Sequence, residues 1–262
     1  MKQKYQILWI FQQISTMSSP DSNNLMSLAT YYQSDKWNSH SYAQHYQKHF
    51  ESLRFEKLNI LEIGVGGFSD TNSGGASLKM WRDFFPNSVI YGIDIYDKSG
   101  LEEERIKIFQ GSQDDAIFLE NIVEQVGGFN IIIDDGCHIN SYVITSFKTL
   151  FPLLRDGGIY VVEDTQTSYW KMFGGNSNDL NSVTTTMGLF KSLVDCLNYE
   201  EFDRPGYVPS YFDKNLIEIH FYHNIVFFYK GENNEGSNIV ENNILPENHP
   251  LIVLDNIKLS NS

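Results

Sequence analysis

Two acidic strand ends carry the residues most able to do chemistry. Ile131-Ile132-Ile133-Asp134-Asp135-Gly136-Cys137-His138 sets two carboxylates and an imidazole directly after a buried-type apolar run, where doubly wound folds place their ligands. Val161-Val162-Glu163-Asp164 repeats the pattern one strand later. If the two runs lie side by side, up to four carboxylates meet within a few ångströms and repel one another unless a hard cation neutralises them. An all-oxygen set without thiolate points to Mg²⁺, with Asp135, Glu163 and Asp164 as the expected ligands. His138 is either a fourth ligand or a general base, and the preference of Mg²⁺ for oxygen favours the base. The bland alternatives are that Asp134 or Asp135 caps the next helix and that Glu163 and Asp164 sit in a solvated loop. Cys137 has no second histidine or asparagine relay near it in sequence and reads as a small packing residue rather than a nucleophile.

A second constellation lies upstream. Leu61-Glu62-Ile63-Gly64-Val65-Gly66-Gly67 follows a strand, and its glycines let the backbone pass close to a ligand. A dinucleotide fold would carry its glycines straight into a helix. Here a long polar, glycine-rich loop, Phe68 to Gly75, intervenes and an acid precedes the glycines. That suits a ligand bearing an ammonium and a sulfonium, as S-adenosylmethionine does. Asp94 ends the next strand, where a carboxylate can accept ribose hydroxyls, although NAD would use the same device. The glycines as a plain tight turn and Asp94 as a helix N-cap are the competing readings.

The elements that must position these residues follow a βαβα rhythm. Apolar runs at Leu58–Val65, Val89–Ile95, Ile106–Phe109, Phe129–Asp134 and Gly158–Glu163 alternate with helix-like stretches at Ser77–Phe85, Asp114–Gln125 and Ile139–Leu154. The expectation is an α/β, doubly wound, mostly parallel sheet. Leu216–Tyr222 and Ile225–Tyr229, separated by His223 and Asn224, predict an antiparallel C-terminal hairpin that closes the sheet edge. Residues 1–55 read as an N-terminal arm and helical lid, and 56–262 as the catalytic domain. Met1 to Met17 suggests a terminal helix or mobile arm, Ser18 to Asn24 a turn, and the stretch after Gly231, rich in Asn and Glu until Ile252, loops with one late strand or helix turn at best.

Composition excludes several classes. Nineteen Lys and Arg against 33 Asp and Glu leave a formal charge of −14, which repels phosphate backbones and anionic lipid, so neither nucleic acid nor membrane is an expected partner. The apolar run Ile7 to Phe11 is too short for a signal or a membrane span. Two cysteines without a CxxC pair fit a reducing, cytoplasmic setting.

These motifs together resemble the macrolide-sugar O-methyltransferases that act on mycinamicin and tylosin deoxysugars. The resemblance rests on Glu62 to Gly67, Gly74-Gly75-Ala76-Ser77-Leu78-Lys79-Met80-Trp81, Asp94, Asp134 to His138 and Glu163 to Trp170, and runs from about Leu28 to Asn238, with Ser34-Asp35-Lys36 and His220 to Asn224 near its ends. It implies a Rossmann-like class I methyltransferase sheet using S-adenosylmethionine and Mg²⁺. It places cofactor contacts at Gly64, Gly66, Asp94, Gly111, Ser112, Gln113, Asp135 and, more weakly, Ser77. Metal ligation falls on Asp135, Glu163 and Asp164, and the base on His138. Two departures stand out: the described macrolide enzymes carry a large N-terminal domain that this sequence does not match, and their DDGSH run has serine at Cys137. The unmatched domain and the apolar tail hairpin point to a homo-oligomer.

The expected reaction is methyl transfer to a hydroxyl of a small-molecule acceptor, a sugar or polyketide-type natural product. Tyr169, Trp170 and Phe173 would wall an acceptor ring, and Tyr31 to Phe50, with Asp35, Lys36, Trp37, His40 and Tyr42, would fold over the cofactor or pack as a helix with His40, His45 and His49 exposed. A catechol or phenol acceptor is the runner-up. An NAD-dependent oxidoreductase is disfavoured by the glycine pattern and by the lack of a clear Tyr-x-x-x-Lys pair, and a non-catalytic binding subunit by the intact acidic cluster.

Overall fold

The computed structural model describes residues 19–247. The expected arm at Met1–Met17 lies outside them, as does the part of the C-terminal stretch after residue 247. Four parallel connections build the centre of the sheet. Strands β1 (Asn59–Ile63), β2 (Val89–Asp94), β3 (Ile106–Gln110), β4 (Ile131–Asp134) and β5 (Ile159–Val162) pair in the order β3-β2-β1-β4-β5. Strands β6 (Leu216–Tyr222) and β7 (Ile225–Lys230) form the hairpin. β7, not β6, pairs antiparallel with β5, which leaves β6 at the edge. Asn224 supplies the turn by adopting φ 64°, a left-handed conformation that asparagine tolerates. This seven-stranded mixed sheet is the doubly wound, Rossmann-like methyltransferase arrangement.

Strand alternation divides the core into two layers. On one face, Ile60, Ile131, Ile133, Val161 and Phe227 pack against helices α1 (Leu25–Tyr32), α2 (Ala43–Phe50) and α3 (Ala76–Phe84) through Leu28, Tyr46, Phe50, Trp81 and Phe84, all fully buried. On the other, Leu61, Ile132, Tyr160 and Phe228 meet Leu119 of α4 (Ala116–Val126) and Phe147 and Phe151 of α5 (Asn140–Leu153). Helices α6 (Thr186–Ser192) and α7 (Tyr211–Asn215) complete that second layer through Phe190 and Phe212. Helices α1 and α2 are therefore built into the same core as the sheet: burying a side chain such as Phe50 stabilises by roughly 1.5–3 kcal/mol. Asn24 begins α1, its side chain accepting the Ser27 N–H at 3.0 Å. No helix among the described residues is long and apolar enough to cross a membrane.

Candidate active site

The parity of the strands decides which acids meet. β4 and β5 run parallel with Asp134 opposite Val162, and the Glu163 N–H donates to the Asp134 carbonyl at 3.0 Å. Asp134 continues the alternation of Ile132 and faces α5. There it is fully buried, accepts from Ser146 Oγ and, at 3.1 Å, from Gln113 Nε2, and burial pushes its carboxyl up to about 6. Glu62, Asp135 and Glu163 fall on the opposite face, toward α1–α3.

On that face stands Lys36. Its ammonium is wholly buried, 2.6 Å from Asp135 Oδ2, 2.7 Å from Glu163 Oε1 and 3.1 Å from Glu62 Oε1. Burial alone would lower its pKa, but attraction by Asp135, Glu163 and Glu62 outweighs this and holds it well above the ordinary lysine value. Tyr46 OH donates to the same Glu163 oxygen at 2.5 Å. Burial first, and then repulsion from Asp135, drive the Glu163 carboxyl well above the usual carboxylate range. Glu62 accepts from Ser77 Oγ at 2.8 Å and Trp81 Nε1 at 3.1 Å, and burial raises it to about 7.

Asp135, His138 and Asp164 bring one ligand-type atom each to within 4.8 Å of the others. His138 Nε2 is 3.3 Å from Asp164 Oδ2 and 3.9 Å from Asp135 Oδ1. Tyr42 OH donates to the other Asp164 oxygen at 2.7 Å. Although burial pushes the Asp164 carboxyl up, the Tyr42 hydrogen bond and the neighbouring His138 hold it below the usual range. His138 and Asp164 both adopt left-handed backbones, φ 58° and 51°. For a histidine this is an uncommon conformation, tolerated at sites where the surrounding structure over-determines it.

The cluster borders a cavity of about 390 Å³ at the carboxyl ends of β1, β2, β3 and β4. Of the sequence-predicted cofactor contacts, Gly64, Gly66, Asp94, Gly111, Ser112, Gln113 and Asp135 line it. Ser77 does not, because its hydroxyl is spent on Glu62. The same bond corrects the reading of the acid before the glycines. Glu62 is sequestered with Ser77, Trp81 and Lys36, outside the cavity wall, and offers no carboxylate to an ammonium or sulfonium there. Asp94 accepts the Val65 N–H at 3.0 Å and the Tyr96 N–H at 2.9 Å, one on each oxygen. Each oxygen keeps a further lone pair for a hydroxyl.

Gln113 bridges Asp134 and the Cys137 N–H at 2.8 Å, tying the acidic turn to the cavity. Cys137, expected as a packing residue, is exposed and lines the cavity wall. Burial of its surroundings raises the thiol, so it is no activated nucleophile. Sequence reasoning missed Tyr46, Tyr142 and Gly136. Tyr142 and Gly136 line the cavity, and no spacing rule points to a tyrosine three residues into a helix. Asn140 staples the neighbourhood, donating to the Thr167 and Phe173 carbonyls and accepting from the Thr186 N–H. Tyr169 and Trp170 on that tethered loop are partly exposed and do not line the cavity.

Cofactor fit can be tested on the residues present. A Cβ at Gly66 would meet nothing within 4 Å, so this glycine borders open cavity where a ligand can approach backbone. The carboxylates and imidazole of Asp135, Asp164 and His138 suit a hard divalent cation, and the Lys36 ammonium lies against Asp135, Glu163 and Glu62 rather than Asp164. Glu163, expected as a ligand, lies outside the group of atoms within 4.8 Å, with one oxygen shared by Lys36 and Tyr46.

Fold and site together define a methyltransferase-type α/β domain with an acidic, histidine-bearing pole. No protein-family model matches the chain. It is 48% identical over 198 residues to the mycinamicin VI 2''-O-methyltransferase of Micromonospora griseorubida, covering 75% of this chain and 50% of that one. It is 46% identical over 223 residues to the demethylmacrocin O-methyltransferase of Streptomyces fradiae, covering 84% and 56%. A crystal structure of the methyltransferase from the mycinamycin biosynthetic pathway, in complex with Mg and SAH, superposes with a TM-score of 0.82 at 42% identity, covering 89% of this chain and 60% of that one. Over the matched stretch the chain is a homologue of the macrolide-sugar O-methyltransferases. It spans about half the length of the curated relatives it matches.

Proposed function

We propose that this chain transfers a methyl group from S-adenosylmethionine to a hydroxyl of a small-molecule natural product, a sugar or polyketide-type acceptor, with Mg²⁺ bound at Asp135 and Asp164. The observation that carries the reading is the adjacency of the glycine-bordered cavity and the Asp135–His138–Asp164 cluster, which share Asp135. The relatives' names and the Mg and SAH held by the mycinamycin-pathway enzyme support it.

Magnesium would lower the pKa of the acceptor hydroxyl, and S-adenosylmethionine would supply the methyl. His138 Nε2 takes the hydroxyl proton, and Asp164, 3.3 Å away, stabilises the imidazolium that results. Asp94 accepts the ribose hydroxyls, and Gly64, Gly66, Gly111, Ser112 and Gln113 shape the cofactor's path. Alignment is the main contribution, worth roughly 7–11 kcal/mol where reacting atoms are held near attack geometry. Glu163, whose Oε1 is shared by Lys36 and Tyr46, would have only its other oxygen to offer the ion as a third ligand. Among the described residues before 56, α1 and α2 act as a helical cover on the sheet domain, and Tyr169, Trp170 and Phe173 shape the acceptor site. The free thiols of Cys137 and Cys196 support a reducing, cytoplasmic setting. The exposed Ile217 and Phe221 of the edge strand support a homo-oligomer.

The test is calorimetric binding of S-adenosylhomocysteine with and without magnesium, in the wild type, Asp94→Ala and Asp135→Ala, followed by methyl transfer to glycosylated and phenolic acceptors with and without EDTA. Micromolar binding lost at Asp94→Ala, with transfer abolished by EDTA, supports the proposal. Absence of binding, or full turnover in EDTA, overturns it.

A further inference from the structure

Each carboxylate of the cluster has one oxygen tied to the N-terminal segment and the other turned inward. Asp135 Oδ2 accepts from Lys36 Nζ at 2.6 Å, while its Oδ1 faces His138 Nε2 at 3.9 Å. Asp164 Oδ1 accepts from Tyr42 OH at 2.7 Å, while its Oδ2 faces the same nitrogen at 3.3 Å. The two anchors are themselves one unit. The Lys36 carbonyl accepts the N–H groups of Tyr42 and Ala43 at 3.1 and 2.9 Å, closing the loop that links them. Tyr42 is 3% exposed and stacks on His40 with ring centroids 4.8 Å apart. Lys36 is wholly buried.

We infer that this closed loop aims the metal site: Lys36 and Tyr42 are positioning residues that fix the rotamers of Asp135 and Asp164 so that Oδ1 of the first and Oδ2 of the second converge on one cation. The inference rests on the reading of Asp135 and Asp164 as magnesium ligands. A carboxylate with a free χ2 torsion must give up that freedom to bind a metal; one already held by a hydrogen bond on its far oxygen does not. The loop thereby couples the segment before the sheet to the metal centre, a role distinct from covering the cofactor, since neither Lys36 nor Tyr42 lines the cavity.

Tyr42→Phe isolates the effect because it removes no charge, only the hydroxyl's bond to Asp164 and its longer 3.3 Å bond to the Asn224 carbonyl. Manganese binding, followed by the paramagnetic resonance of the free ion, should weaken 10- to 100-fold, the usual loss on removing a group that orients a metal ligand. Binding of S-adenosylhomocysteine to the metal-free protein should stay within about twofold of wild type, which a general structural defect would not allow. Lys36→Met supplies a second arm of opposite electrostatic bias. Loss of a positive charge beside the site would by itself tighten manganese binding, so weakened binding there marks lost positioning. Unchanged or tighter binding in Tyr42→Phe overturns the inference while leaving the metal site intact, and decides the matter even if Lys36→Met does not fold. A wild-type protein that binds no manganese overturns the metal site and the inference with it.

Discussion

Gly64 and Gly66 make different demands on the same loop, and alanine at each separates packing from ligand space. A Cβ at Gly64 would stand 2.1 Å from the Asp135 carbonyl oxygen and 2.8 Å from its carbon. Unstrained contacts to carbon begin at roughly 3.5 Å, so the turn after β4 must retreat by more than about 1 Å. Forcing a crowded site apart costs about 1–3 kcal/mol, and an L-residue held at a left-handed φ adds about 1–3 kcal/mol; here φ is +95°. Gly64→Ala should therefore lose about 2–6 kcal/mol in urea unfolding, and the displacement of Asp135 should cost on the order of 10²-fold in methyl transfer. Gly66→Ala, at φ +77° with nothing within 4 Å of the new Cβ, incurs only the backbone strain, about 1–3 kcal/mol. Its methyl enters the cavity, however, and S-adenosylhomocysteine affinity should fall out of proportion to stability. Urea titration and calorimetry on both variants test this. If Gly64→Ala matched Gly66→Ala in stability and kept wild-type affinity, the close approach of β1 to the turn after β4 would be refuted.

Three further outcomes are expected. His138→Ala should bind S-adenosylhomocysteine and manganese within a few-fold of wild type yet lose roughly 10²–10⁴-fold in kcat, the usual worth of a positioned base; retained turnover would move the base elsewhere. Glu62 ionises near 4.5 when unfolded but near 7 when folded. Between those values the folded chain holds a proton that the unfolded chain has released, so this group's contribution to stability falls as pH rises across the window. In EDTA, Glu62→Gln should gain on wild type from pH 4.5 to 7 by an amount on the order of 1–3 kcal/mol, read from urea midpoints; a pH-independent difference would refute the burial argument. Trp170→Ala should raise the acceptor KM with little change in kcat, as loss of uniform binding does, and an unchanged KM would remove the loop from the acceptor site.

Local pattern alone determined most of the frame. The apolar runs and the spacing of their helices place all seven strands within a residue or two of Asn59–Ile63 through Ile225–Lys230, because the central strands, buried on both faces, write near-continuous apolar runs into the chain and the final pair is marked by its two-residue turn. The glycines before a polar loop, Asp94 at a strand end and the two acidic strand ends were legible for the same reason: backbone approach and carboxylate crowding are tied to residue type at short range. The division of those acids was not. Whether Asp134 or Asp135 faces the cluster depends on strand parity at β4, and Gln113 and Ser146 bind Asp134 only after α5 docks. Ser77 and Glu62 read as parts of the cofactor end, yet Trp81 and Lys36 draw them into a buried network away from it. Lys36 itself lies 99 residues from Asp135 and 127 from Glu163 along the chain. A buried ammonium is tolerated only where several carboxylates surround it, and that surrounding is made by α1 and α2 packing on the sheet, a property of the folded molecule that no local pattern encodes.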